Sequence, residues 1–513
     1  MRRPSDVARL SRRFDRRSFL KHSLLGAVAV SIPGEMRGDP YAPLIRSTPR
    51  ASGAVRVRGV VRGDGRPLAG VRVTDGLSVV DTDSDGVYEL VSLSNRQFVS
   101  VSIPSGFEVP RSSVGTADFY RPIAAGAGDE FEASFSLARS QVPDDAHTLL
   151  LLPDIQTELD WEMERFHAES VPDVIATVRS AQGQSVFGVA CGDIMFDRLE
   201  LYPEYERGVN RIDVPFFQVI GNHDLDQDQR SDQASTRTFS RHFGPRYYSF
   251  DRGSVRYVVL DDVFWHGAGY IGYLDADQLA WLEADLSGLE DGAPVVVLTH
   301  IPVLSTVDKR RGGSNPSLGH AITNRDALYR ILERFSAHVL TGHTHEQEHQ
   351  WNHGVHEHVS GTVCGAWWSG DICGDGTPNG YSVYEMRGEE VTWRYKSTGL
   401  PVDHQLRTYP GGADPSAPDE FVANVWDWDP AWTVVWYEGA DRRGTMAGRL
   451  GRDPKSVREH LGPDLPSHRS WVEPDPTRHL FYAPTPDSDA DIRVEATDRF
   501  GRTYSSAVPA VPW

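Results

Sequence analysis

The chain has 513 residues, more than one hydrophobic core accommodates, so it divides into two or three domains. Hydrophobic residues make up 39%, ordinary for a globular protein, and 47 Gly with 33 Pro favour short strands joined by many turns. A formal charge of −20, from 52 Lys and Arg against 72 Asp and Glu, argues against nucleic acid or an anionic membrane surface as a partner, and three cysteines are too few for a disulfide scaffold.

The first segment, residues 1–35, reads as targeting rather than fold. Asp15-Arg16-Arg17-Ser18-Phe19-Leu20-Lys21 resembles a twin-arginine export signal, with the apolar run Leu24 to Val30 behind it. That run is too short to span a bilayer, and no span is expected in the mature form. The expected location is periplasmic, cell-wall or extracellular. Residues 36–54 mix Pro, Gly, Ser and Arg without period and read as linker.

From Val55 the pattern changes. Val55 and Val57, then Val71 and Val73, alternate with Arg, and Gly63-Asp64-Gly65 and Asp85-Gly86 break the runs, so residues 55–138 are expected to form a small β-sandwich. Asp81-Thr82-Asp83-Ser84-Asp85-Gly86 starts like a calcium loop, but Ser92 stands where the twelfth-position carboxylate belongs, so it reads as a turn.

Residues 144–400 alternate strand-like and helical runs, the mark of a mixed α/β core. Leu279, Leu282 and Leu286 share one helical face, and Ala327, Leu328, Ile331 and Leu332 share another. Five apolar runs each end in polar residues. Asp154-Ile155-Gln156 follows Thr148 to Pro153, and Gly192-Asp193 follows Val186 to Cys191. Gly221-Asn222-His223-Asp224 follows Val214 to Ile220, His300 follows Val295 to Thr299, and Gly342-His343-Thr344-His345 follows Ala337 to Thr341. Strands that repeatedly release Asp, Asn and His at their ends build one polar cluster at a sheet edge. Oxygen and imidazole donors of this kind suit a pair of divalent metals better than a structural zinc. Asp193 is the natural bridge between two ions. Asp154 and Gln156 point the same way if the strand continues through them, as do His343 and His345.

Residues 401–513 return to short strands and turns, and read as a C-terminal β-domain after the Pro/Gly stretch Tyr409 to Pro418. Trp426, Trp428, Trp432 and Trp436 are dense there and read as aromatic packing in a small core rather than a sugar-stacking platform. Cys191 reads as a core residue, whereas Cys364 and Cys373 flank a Trp-Gly loop and are candidates to pair outside the cytoplasm. His349, His353, His356 and His358 read as solvent-exposed strand residues rather than a second metal site.

The five motifs together resemble the calcineurin-like metallophosphoesterases, whose signature is D-x-H, G-D, G-N-H-[DE], H and G-H-x-H. The flanking β-regions resemble those of an exported bacterial subgroup. The resemblance implies an αββα sandwich of two sheets and two divalent ions, Mn, Fe or Zn. One ion falls to Asp154, Gln156, Asp193 and His345, the other to Asp193, Asn222, His300 and His343. It also implies His223 as general acid, with Asp197 and Asp224 both qualifying as the carboxylate that orients it. The expected reaction is attack by a metal-bridging hydroxide on a phosphate mono- or diester, either a small molecule or a cell-envelope component. The family's D-x-H is D-x-Q here, and Gln156 is a weaker, neutral donor. The alternative is therefore an exported ligand- or glycan-binding protein with a degenerate phosphatase core. Candidate substrate contacts are Arg310-Arg311 and the loop from Cys364 to Asn379, where Trp367 and Trp368 are candidates both for walling the pocket and for packing between domains.

Overall fold

Strand alternation sets the layers of the core. In the strand Ala146–Leu152, Leu149 and Leu151 face one hydrophobic cluster while Leu150 and Leu152 face another. In Pro294–Leu298, Val296 and Leu298 join the first cluster while Val295 and Val297 join a third. Period-two side chains on a strand buried from both faces require this division. The first cluster lies between two sheets, and the other two lie between each sheet and its outer helices. The result is the αββα sandwich. A computed structural model describes residues 53–93, 95–123, 130–487 and 490–510, so the export motif lies outside the described residues.

The first core sheet runs Phe216–Val219, Ser185–Cys191, Ala146–Leu152, Gly380–Arg387, Glu390–Ser397. Its first three strands are parallel and its last two antiparallel. The second runs Tyr248–Arg252, Val255–Val259, Pro294–Leu298, Ser336–Thr341, Val355–Val359, Glu348–Asn352, with a parallel centre and antiparallel edges. Parallel strands align their C-terminal ends, so the chain leaves all the motif strands on one rim.

The amphipathic helices behave as their spacing predicts. Asp275 caps the helix Ala276–Leu286 by accepting from Gln278 N, and Leu282 and Leu286 are buried beneath it with Trp281. In Arg325–Leu332, Leu328 and Leu332 are buried against the same sheet.

The N-terminal strands form two small sheets, and their core is continuous with the space between the large ones. Phe119 meets Tyr248 at 4.4 Å, and Ala117 N donates to Phe216 O at the sheet edge. Asp83 accepts from Asp85 N and Val87 N, so its carboxylate is used within its own turn. The C-terminal strands form two four-stranded sheets. Trp426 and Trp432 are buried there, and Trp428 and Trp436 pack against the cluster that Trp432 joins.

Two expectations need correction. His356 and His358 are buried, and His349 joins them, because residues Asp427 and Arg499 of the C-terminal part close over this edge of the sandwich. His353 instead sits in the hairpin turn, stacked on Tyr329. All three cysteines are free and buried; Cys364 and Cys373 each lie 3.7 Å from the Thr362 hydroxyl and are not bonded to one another. Among the described residues no helix is long and apolar enough to cross a membrane.

Candidate metal centre

The strand Ala146–Leu152 stops before its motif, and Asp154 and Gln156 each adopt a left-handed backbone, φ +48° and +46°. Asp193, His343 and His345 do the same, at +46°, +73° and +52°. Their convergence thus comes from turns that left-handed residues re-aim, not from continued strand alternation. Such conformations are unfavourable for residues with a Cβ and gather where the surrounding structure enforces them. The motif glycines make room. A Cβ on Gly192 would lie 2.2 Å from the His300 ring, one on Gly221 2.2 Å from Asp193 Oδ1, and one on Gly342 2.3 Å from Asp154 Oδ2.

Seven predicted residues come together. Asp193 Oδ1 lies 3.3 Å from His300 Nε2, and its other oxygen accepts from Gln156 Nε2 at 3.1 Å. His300 Nε2 also faces Asn222 Oδ1 and His343 Nδ1, each at 3.2 Å. His345 Nε2 lies 3.3 Å from Asp154 Oδ1. Among the described residues, Asp193, His300 and His343 are close enough to share one ion.

The outer hydrogen bonds fix the tautomers. His300 Nδ1–H donates to Cys191 O, His343 Nε2–H to Gly319 O and His345 Nδ1–H to Gly365 O. In the neutral ring each bond leaves the other nitrogen with its lone pair directed inward, where a metal would replace the proton that the surrounding carboxylates otherwise hold there. In that state His300 Nε2, His343 Nδ1, Asn222 Oδ1 and Asp193 Oδ1 are all acceptors at about 3.2 Å from a neighbour, as hydrogen-bonding geometry requires a proton or cation between them. Asp154 Oδ1 and His345 Nε2 are buried with no hydrogen-bond partner at all. The donor set therefore fits metal ions.

The electrostatics agree. Burial would lower the His300 pKa, but the Asp193 carboxylate overrides it and lifts it to about 10. Burial likewise opposes protonation of His345, and Cys364 and Asp154 raise it nonetheless. Burial and the neighbouring His300 hold His343 well below its ordinary value. The pocket is a negative well with imidazoles turned toward it.

His223 stands beside this well. Its backbone N–H donates to Asp193 Oδ1 at 2.8 Å, and its ring Nδ1 contacts Asp197 Oδ1 at 2.7 Å. Burial lowers its proton affinity, but Asp193 and Asp197 outweigh that and raise the pKa. Asp224, the other candidate orienting carboxylate, is spent elsewhere: it accepts from Ile194 N, Met195 N, Gly221 N and the Tyr202 hydroxyl. It buttresses two motif loops and does not touch the His223 ring.

Arg310 does not face the site. It is buried against Glu346 and donates to Pro476 O, while Arg311 pairs with Asp475. Trp368 is a core residue whose indole N–H donates to Ile155 O, whereas Trp367 stacks on His345 at 4.1 Å and meets Trp471 at 4.7 Å. Sequence reasoning missed Phe196, whose ring lies 4.3 Å from His223 with Arg469 above it, and Cys364 Sγ, 3.7 Å from His345 Nδ1. None of these carries a motif; the carbonyls of Cys191, Gly319 and Gly365 carry no side-chain signal at all.

A family model described as calcineurin-like phosphoesterase matches residues 147–347, and the models for its N-terminal and C-terminal parts match residues 55–140 and 357–504. The serine/threonine-protein phosphatase CPPED1 of Bos taurus is 25% identical over 46% of this chain and 75% of its own length. A 3',5'-cyclic-nucleotide phosphodiesterase of Nostoc is 26% identical over 34% of this chain and 60% of its own. Among solved structures, a dimetal phosphatase from Danio rerio covers 50% of this chain and 98% of its own, at 15% identity and a TM-score of 0.34. A purple acid phosphatase from yellow lupin covers 64% and 67%, at 12% identity and a TM-score of 0.36. With the three matched segments running from residue 55 to residue 504 and the motif residues gathered on one rim, the chain belongs to the calcineurin-like phosphoesterase family, whose chemistry is the hydrolysis of phosphate esters.

Proposed function

We propose that the chain is an exported phosphoesterase that uses two divalent ions to hydrolyse a phosphate mono- or diester. The observation that carries this reading is the set of inward lone pairs on His300, His343 and His345 facing the carboxylates of Asp154 and Asp193. Asp154, Asp193 and His345 would hold one ion, with Gln156 joining through its carbonyl oxygen once its amide turns from Cys364 and Asp193, and Asp193, Asn222, His300 and His343 would hold the other. The ions, when bound, supply Lewis acidity and an acidified water at neutral pH. Export rests on the Arg16-Arg17 motif.

The chain's own residues do the rest. Asp193 lies between both ligand sets and sets their spacing. His223 carries a proton on Nε2 while Nδ1–H is held by Asp197, and it delivers that proton to the departing alcohol. Phe196, Trp367 and Trp471 give the entrance apolar rings, and Arg469 lies over Phe196 with its charge taken up by Glu158 and Glu162. That wall suits an anionic ester whose leaving group has an apolar or aromatic face.

The test is hydrolysis of p-nitrophenyl phosphate and bis-p-nitrophenyl phosphate by residues 36–513, metal-stripped and then reloaded separately with Mn²⁺, Fe²⁺, Zn²⁺ or Ca²⁺, beside Asp193→Asn. Turnover restored by metal and lost in the variant is expected. A folded protein inactive with every metal on both esters overturns the reading in favour of a binding protein.

A further inference from the structure

A second cluster of imidazoles lies away from this centre. His338 on Ser336–Thr341, His356 and His358 on Val355–Val359, and His349 on Glu348–Asn352 share one face of three adjacent strands. They point between the sheets at the edge of the sandwich that the C-terminal part covers, against Trp393 and Tyr384 of the other sheet. The five residues from His338 to His343 put roughly 16 Å of strand between the cluster and the catalytic rim.

Four imidazoles in a buried edge need a reason, since burying polar groups costs free energy unless they are bonded. Their hydrogen bonds are only half complete. His349 Nε2–H donates to the Asp427 carboxylate at 3.0 Å, which leaves its Nδ1 to accept from His356 Nε2–H at 3.2 Å. His338 Nδ1 and His358 Nε2 lie 3.0 Å apart, and His358 Nδ1 is buried with no partner. One nitrogen from each of His338, His356 and His358 lies within 4.8 Å of the others. Two imidazoles on a tetrahedral zinc, with bonds of about 2.0–2.1 Å, stand roughly 3.3 Å apart, close to the 3.0 Å between His338 Nδ1 and His358 Nε2. Burial, with Arg499 and the neighbouring rings added, pushes His338 down to about 4 and His356 and His358 well below their ordinary value. Neutral imidazoles with free lone pairs are what a metal takes. The Arg499 charge is itself answered by Asp429 at 2.8 Å.

We propose that His338, His356 and His358 bind a zinc-like divalent ion, with the Asp427–His349 pair as its outer hydrogen-bonding support. His356 Nε2–H donates to His349, which passes the bond on to Asp427, so the carboxylate acts on this ligand through one intervening imidazole and leaves His356 Nδ1 for the ion. Three imidazoles leave the fourth position to water; all three belong to the second core sheet, and the His349–Asp427 hydrogen bond links that sheet to the C-terminal part.

The test counts metal. Chelator-treated chain is reloaded with Zn²⁺, desalted and analysed for zinc by mass spectrometry, alongside His356→Gln, the half-exposed His338→Gln, and Asp193→Asn. Each histidine variant is expected to hold one zinc fewer than the unaltered chain while p-nitrophenyl phosphate turnover is retained. Asp193→Asn is expected to keep this ion, and after Co²⁺ loading to show intense visible bands of tetrahedral cobalt that the added His356→Gln change removes. Equal zinc content in the unaltered chain and both histidine variants, or no zinc in folded Asp193→Asn, overturns the proposal and leaves a hydrogen-bonded imidazole ladder.

Discussion

At the scale of single residues, Gln156 is where the chain departs from the D-x-H signature that its motifs otherwise resemble. Its amide N–H donates to Asp193 Oδ2, and its carbonyl faces the Cys364 thiol at 3.6 Å. An imidazole would offer a stronger donor at the same place, since ligand basicity governs affinity for first-row ions. Gln156→His is therefore expected to tighten binding of the more loosely held ion by about 10-fold, read as the metal concentration giving half-maximal turnover. No change in that concentration would mean that Gln156 lies outside the ligand set. The ligand residues themselves were legible because Asp, Asn and His at strand ends form an unusual pattern. The orienting carboxylate was not. Asp224 adjoins His223 in sequence and Asp197 lies 26 residues before it, yet the loop geometry turns Asp197 to the ring while three backbone N–H groups occupy Asp224.

At the scale of elements, the rim depends on loops whose backbones are unusual, with left-handed residues at both ends of D-x-Q and of H-x-H. The glycines between strand and ligand act as spacers. Gly342→Ala would place a methyl against Asp154 Oδ2 and Pro153, so metal affinity and turnover are expected to fall about 10–100-fold with the fold intact by circular dichroism. Gly354→Ala, at φ +80° with nothing within 4 Å, is the contrast: a stability loss of about 1 kcal/mol and unchanged turnover. Strand and helix periodicities were readable along the core because both faces of each sheet are filled by apolar side chains. The histidine-rich hairpin was misread because alternating polar residues look like an exposed face. What covers that face comes from Asp427 and Arg499, some 70 to 140 residues further along, which no local pattern reveals.

At the scale of the whole molecule, the core and its C-terminal part are joined through buried charge. Arg310 pairs with Glu346 at 2.5 Å and donates to Pro476 O, and burial pushes the Glu346 carboxyl up to about 8 despite the guanidinium beside it. Arg310→Met would leave Glu346 buried and alone, at a cost of about 3–5 kcal/mol in urea unfolding, whereas Arg310→Met with Glu346→Gln should recover much of that loss. Equal losses in the single and double variants would show that the pair is not coupled. The N-terminal part is joined differently, by continuity of apolar packing from Phe119 to Phe217 and Tyr248.

The loop that carries Arg469 and Trp471 leans over the entrance, although every residue in the ligand set lies between Asp154 and His345. The proposed function thus places reactivity and selectivity in separate stretches of chain. Transplanting residues 462–475 from another such protein would re-tailor what the centre admits while its chemistry stayed as it was, so new preferences can arise here by grafting one surface segment.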